Sequence, residues 1–344
     1  MKIRAVTGFS ADFMKAISLA TEAADKLRNN NYDIQFVRIA THPWESWCSQ
    51  EDFPSRALEI EKITLASQID FISFGPCIPA SLSAVVKAIN MTERSFFSSW
   101  MDYDHAAVAT AIIDISNTNP MNNLRFAGTS NVLPSNPFFP AAFANEEGVS
   151  LALEITGDLV ENNGDPNELT KDLLNLESLC QDSSWNYFGM DPSIAPPLDY
   201  QSSVAEVVEL NGSSLGSEGA ELTIQTLTHK LRSLPVSQVG YRGVMFAIME
   251  DKKLVDLVND DLLKISHLLE YAGRCGTGLD TVPLPGNISK TTLAQLLKKV
   301  TDISIEKNKP LSARLFPMPG CRIGDTVRSE SPYLLDCSAM DPES

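Results

Sequence analysis

Cys275 stands in the stretch GRCGTGLDTVPLPG (273–286), between Gly273 and Gly276, with Arg274 beside it and Asp280 five residues on. A thiol with glycine on one side and the prolines Pro283 and Pro285 on the other is a candidate nucleophile, and a carboxylate close by is a candidate acid or base. The preceding helix ends at Gly273, and its negative dipole end opposes ionisation of the thiol, whereas Arg274 favours it. A buried structural thiol is the competing reading, because free cysteines are among the most buried residue types. Other carboxylates close apolar runs: Glu154 after SLAL, Asp191 after YFGM, Glu206 after SSVA, and Glu250–Asp251 after VMFAIM. Acids at strand ends can move protons or hold a divalent cation through oxygen ligands; each can equally be a helix cap or a turn residue, the more so Asp191 in DPS. Glu154 and Asp280 stand out because their neighbours are apolar or conformationally restricted.

Arg314 interrupts the apolar run SARLFPMPG. Such an arginine either pairs with a buried carboxylate or anchors an anionic substrate group. In NPFFPAAF (136–143), Asn136 leads two aromatics held between prolines, so Phe138 and Phe139 are candidates for the wall of a pocket. Trp44, at the end of a strand, reads as its rim, and Tyr241 of GYRG joins Asn136, Phe138, Phe139, Trp44 and Asp191 as a substrate-binding candidate. His42, Glu45 and Cys48 in THPWESWC have the types of metal ligands, but Pro43 disfavours the helix that would make them face one another. Neither a G-x-G-x-x-G following a strand nor a G-x-x-x-x-G-K-[ST] occurs, so no nucleotide or redox cofactor is indicated; a divalent cation is left open.

The elements that must position these groups alternate. Strands are expected at 2–8, 32–41 and 70–76, separated by helices behind Ser10 and over 54–68. Helix follows at 104–117, loop at 129–148, strand at 149–156, helices at 167–180 and 219–232, and an apolar strand at 240–249. Helices at 260–273 and 291–307 precede a strand at 310–320. This pace marks an α/β protein with parallel first strands, and no long linker divides it, so one domain over 1–344 is expected.

The chain has 344 residues, 43% of them hydrophobic, enough for a sizeable core. A formal charge of -17 argues against nucleic acid and against anionic membrane surfaces, and points to a small-molecule partner. Six scattered cysteines without CxxC spacing suggest free thiols and a cytoplasmic setting, with no secretory signal or membrane span expected. Homodimerisation is compatible with the long apolar elements.

NPFFPAAF, DPSIAPPLD, GYRGVMFAIMED, CGTGLDTVPLPG and ARLFPMPG, in this order, resemble domain-of-unknown-function family 711, related to the UPF 0210 proteins. The resemblance implies a closed α/β barrel of about ten strands, like that of pyruvate formate-lyase-type enzymes, with helices outside and a loop inserted in the lumen. In those enzymes the inserted hairpin carries a catalytic cysteine, and Cys275 is its counterpart by resemblance. The chain departs from the family at FFPAAFA, where Phe143 and Ala144 replace a tyrosine and a histidine. Glycyl radical chemistry is not expected, since Gly240 precedes Cys275, the reverse of the order in those enzymes. Residues and resemblance together suggest an enzyme on a small metabolite, a non-redox lyase, isomerase, cyclase or hydrolase using Cys275, Asp280, Glu154 and Arg314. The alternative is a non-catalytic protein binding a metabolite or a divalent metal.

Overall fold

A computed structural model describes residues 1–344. Nine strands form one sheet: β1 (Lys2–Phe9), β2 (Ile34–Ala40), β3 (Phe71–Cys77), β4 (Ser95–Trp100), β5 (Phe126–Ser130), β6 (Gly148–Glu154), β7 (Tyr187–Asp191), β8 (Gly278–Pro285) and β9 (Leu311–Met318). Their order across the sheet is β7-β6-β1-β2-β3-β4-β5-β9-β8. β1 to β5 run parallel. β6 is antiparallel to β1 and β9 to β5, while β7 and β8 run parallel to β6 and β9. The sheet therefore has a parallel centre flanked by two pairs of reversed strands.

The helices that matter here are α1 (Phe13–Asn29), between β1 and β2, and α2 (Lys252–Asn259), α3 (Ile265–Ala272) and α4 (Lys290–Lys307), which flank β8. Asp12, not Ser10, caps α1 by accepting the Met14 amide, and Ala16, Ile17, Ala20, Ala23, Ala24 and Leu27 form its buried stripe. Of the helix expected over 260–273, α3 covers Ile265–Ala272, and α2 is a further helix just before it. None of the helices is long and apolar enough to cross a membrane.

Strand alternation separates two environments. Val37 and Ile39 of β2 join the large helix-covered core, as do Ile3 and Val6 of β1. Phe9 and Ala40 belong instead to a small cluster with Ala142 and Ala144 of the β5–β6 connection. That connection lies on the sheet face turned away from the helices. Ser73 of β3 donates to the carbonyls of Pro140 and Ala142, the Ala144 amide donates to Thr41, and Phe139 packs edge-on to Phe96 of β4. An inserted segment thus exists, but NPFFPAAF forms it, not the Cys275 stretch.

Two expectations change in form. TGLDTVPLP, expected as a loop, is strand β8 from Gly278 on. Pro283 and Pro285 cannot donate to a ladder, and β8 is the last strand in the sheet order, where prolines are tolerated. GYRGVMFAIM, expected as a strand, makes only isolated parallel bridges: Gln238 with Met190, Val244 with Ile194, and Ala247 with Asp280. These place one segment against β7 at one sheet edge and β8 at the other. The architecture is mixed α/β with a nine-stranded sheet.

Candidate active site

A cavity of about 140 Å³ opens on the inner sheet face. Its wall is mostly apolar: Phe36, Phe71, Phe96, Phe138, Phe139 and Met245 supply much of it. Its charged lining is Arg4, Arg38, Arg125 and Arg314 against Glu93, Glu250 and Asp280, four positive and three negative groups.

Three of the four arginines are engaged. Arg125 is structural, donating to the carbonyls of Ile89 and Ser95, to Thr92 and to Asn122. Arg314 donates through Nε to Asp280 Oδ1, and through one terminal nitrogen to Asp280 Oδ2 at 2.9 Å and to Glu250 Oε1 at 2.8 Å. Arg4 donates to the Pro196 carbonyl at 2.7 Å and pairs more loosely with Glu154 at 3.4 Å and Glu250 at 3.8 Å. Asp280, Arg314, Glu250, Arg4 and Glu154 thus form one alternating charge chain.

Arg38 is different. It is 9% exposed, its Nε has no hydrogen-bond partner, and the cavity's ion pairs use Arg4 and Arg314 and leave it out. Rings surround it: its guanidinium carbon lies 4.8 Å from the centroid of Phe36, 5.0 Å from Phe139 and 5.6 Å from Phe71. Cation–π contact partly compensates desolvation but cannot replace an anionic partner. Burial, then the positive charge of Arg4, push Arg38 down to about 9, partly opposed by Asp70, Glu250 and Tyr333. It remains charged at neutral pH.

A row of hydroxyls lies elsewhere on the wall. Tyr241 donates to Ser312 Oγ at 3.1 Å, and Ser312 in turn donates to the Thr277 carbonyl at 3.4 Å. Burial holds the Tyr241 phenol above its ordinary range, so it stays protonated and able to donate.

The structure brings some expected residues together and separates others. Asp280, Arg314, Phe138, Phe139 and Tyr241 all line the cavity. Glu154 stands behind it and holds Arg4. Cys275 does not reach it: fully buried in the helix-side core, it closes the turn from α3 into β8, its amide donating to Tyr271 and its carbonyl accepting from Lys309 Nζ. The expected juxtaposition of thiol and Asp280 in the lumen is therefore corrected. Cys275 lies in the turn before β8 and packs in the core, whereas Asp280 lies within β8 and lines the cavity.

Trp44, expected at a pocket rim, is fully buried and stacked on Phe53 with centroids 3.9 Å apart. Asn136 is buried outside the lining, where it caps the Phe138 amide. Asp191 is also outside it, accepting from Ser193 N and Oγ, Tyr241 N and Arg242 N. Burial raises it to about 6 despite these bonds. Gly240 makes room for it: a Cβ there would collide with the carboxylate, and φ is +77°. Glu45 accepts from Ile78 N and Ser81 Oγ. No group of three or more His, Cys, Asp or Glu is placed to hold a metal ion.

Arg4, Arg38 and Thr277 were not among the expected site residues, and Glu250 was noted only as one of several acids closing apolar runs. For Arg4 and Arg38 the signal was present: KIRAV and FVRIA each set an arginine inside an apolar strand, as SARLF does for Arg314.

Residues 167–330 match a family model described as Uncharacterised ACR (DUF711). Among curated relatives, a UPF0210 protein of Limosilactobacillus reuteri (strain DSM 20016) is 32% identical over 146 residues, 41% of this chain and 33% of that protein. One from Methanocorpusculum labreanum is 32% identical over 146 residues, 41% of this chain and 32% of its own length. One from Pyrobaculum arsenaticum is 24% identical over 278 residues, 72% of this chain and 62% of its own length. The aligned stretches thus span between 32% and 62% of the length of these relatives. The family match includes Tyr241, Glu250, Thr277, Asp280, Ser312 and Arg314, whereas Arg4 and Arg38 precede it.

Proposed function

The chain belongs to the DUF711 and UPF0210 family, and from the chemistry of its cavity we propose that it is an enzyme acting on a small organic acid by acid–base steps, without a redox cofactor. The carrying observation is Arg38: a buried guanidinium with aromatic neighbours and no protein anion, on the wall of a mostly apolar cavity. A carboxylate of the ligand completes that site, with Arg4 beside it. Glu250 and Asp280, each accepting a hydrogen bond from Arg314, are the groups able to accept a proton, and Tyr241 is the group able to give one. Cys275 takes no part in this scheme.

The same proposal includes closure of the sheet. With the bridges of segment 238–247 to β7 and β8 counted as a tenth member, five parallel strands and five reversed ones form one continuous series. That supports a barrel with NPFFPAAF as the segment inside it.

A second reading, a non-catalytic acid-binding protein, is favoured by the tying of both Glu250 and Asp280 into ion pairs. Incubation with a panel of carboxylic acids, followed by NMR of the mixture and thermal-shift titration, separates the two. Turnover that disappears in Glu250→Gln or Asp280→Asn supports the enzyme; stabilisation without conversion supports the binder. Loss of a hydrogen bond to a charged group costs about 1.5–3 kcal/mol, so Arg38→Met should weaken the bound acid roughly 10- to 100-fold. Equal binding by Arg38→Met removes the proposal.

A further inference from the structure

Resting on that reading of the cavity, we propose that the ligand is a carboxylic acid with a second polar function, a hydroxyl or carbonyl, separated from the carboxylate by an apolar spacer, and that Thr277 reads this second function. Two buried polar atoms of the lining have no partner in the protein: Arg38 Nε and Thr277 Oγ1. Buried polar groups are ordinarily paired, and leaving one unpaired is costly. Two such atoms in the lining of one cavity mark positions that a ligand can satisfy.

They differ in chemistry and in place. Arg38 can only donate and carries charge, so its complement is an anion. Thr277 is neutral, 3% exposed, and able both to donate and to accept. Its backbone carbonyl is already used by the Ser312 amide at 2.8 Å and the Ser312 hydroxyl, which leaves the side chain as its free function. Arg38 lies on β2 and Thr277 at the entry to β8, with β3, β4, β5 and β9 between these strands in the sheet. Phe96, Phe138, Phe139 and Met245 line the same cavity. An anion on one side, a neutral polar group on the other and an apolar wall describe a hydroxy or oxo acid with an apolar spacer.

The test uses the full chain and isothermal titration with straight-chain ω-hydroxy acids, the oxo acids and alkanoates of matching length, and the corresponding alcohols without a carboxylate. A neutral hydrogen bond contributes about 0.5–1.5 kcal/mol, so the wild type should prefer a hydroxy or oxo acid over its length-matched alkanoate by up to about tenfold at one chain length. Thr277→Val should lose that preference while keeping its affinity for the alkanoate, Thr277→Ser should retain it, and Arg38→Met should weaken all the acids. Alkanoates bound through Arg38 with no preference at any length, or with a preference that survives Thr277→Val, would overturn this inference and leave the acid site standing. Acids that bind neither wild type nor variant overturn both.

Discussion

At the scale of single residues, Arg38 sets the terms of binding, and its ionisation gives the pH dependence. Burial and Arg4 disfavour its charged form, so its proton leaves first, at about 9 rather than at the ordinary arginine value. Between those two values the unfolded chain holds a proton that the folded chain has released, so stability of the free protein from this group rises with pH there. Attraction for an anion runs the other way: it is complete below about 9 and fades above it. Thermal-shift titration with the best-binding acid of the panel, from pH 6 to 10, should therefore give a constant stabilisation to about pH 8 and a declining one beyond. A stabilisation unchanged at pH 10 would remove Arg38 from the site. The same residue shows what was legible. An arginine inside an apolar strand is a readable signal, and it drew attention to Arg314, whose charge proves to be spent on Asp280 and Glu250. FVRIA carried the same signal, but whether a carboxylate waits opposite depends on partners 34 and 64 residues away in the case of Arg314, and no local pattern reveals those.

At the scale of elements, Asp191 explains how an irregular segment is held. Its carboxylate receives three backbone amides and one hydroxyl, and two of the amides, from Tyr241 and Arg242, belong to the segment that bridges the sheet edges. Truncation leaves those amides buried without partners at about 1–3 kcal/mol each, so Asp191→Ala should lower unfolding free energy by at least ~3 kcal/mol in urea. Asp191→Asn should be nearly as costly, because its amide nitrogen would face N–H donors. A loss below ~1 kcal/mol for both would show that Asp191 is not the clasp. DPS was legible as a turn, and the Asp191 bonds to Ser193 honour that reading; its partners 50 and 51 residues on were not. β8 shows the converse. Prolines and glycines in TGLDTVPLPG imitate a loop, and only the position of the strand at the end of the sheet order makes them compatible with pairing.

At the scale of the molecule, the question is whether nine strands and one bridging segment act as a single closed wall around the cavity. The early βαβ alternation was readable because parallel strands and helices have separate periods, and β1, β2 and β3 stand where the pattern puts them. Closure was not readable, since it depends on a segment whose apolar composition suits a strand but whose backbone meets its neighbours only at separate points. Those points are well defined: the Val239 amide donates to Met190 at 3.1 Å, Met245 to Ile194 at 2.8 Å, and Gly276 to Val244 at 2.8 Å. Val244 and Met245 are buried. If the segment completes the wall, releasing it exposes the cavity lining and parts β7 from β8, so these amides should exchange only through large-scale opening. Hydrogen exchange followed by mass spectrometry or NMR should then give peptides covering 239–247 a protection comparable with that of β1 and β2, and Asp191→Ala should lower it selectively. Exchange within seconds at neutral pH in the wild type would mean the segment is a loop resting on an open sheet, with Tyr241 and Met245 free to leave the site.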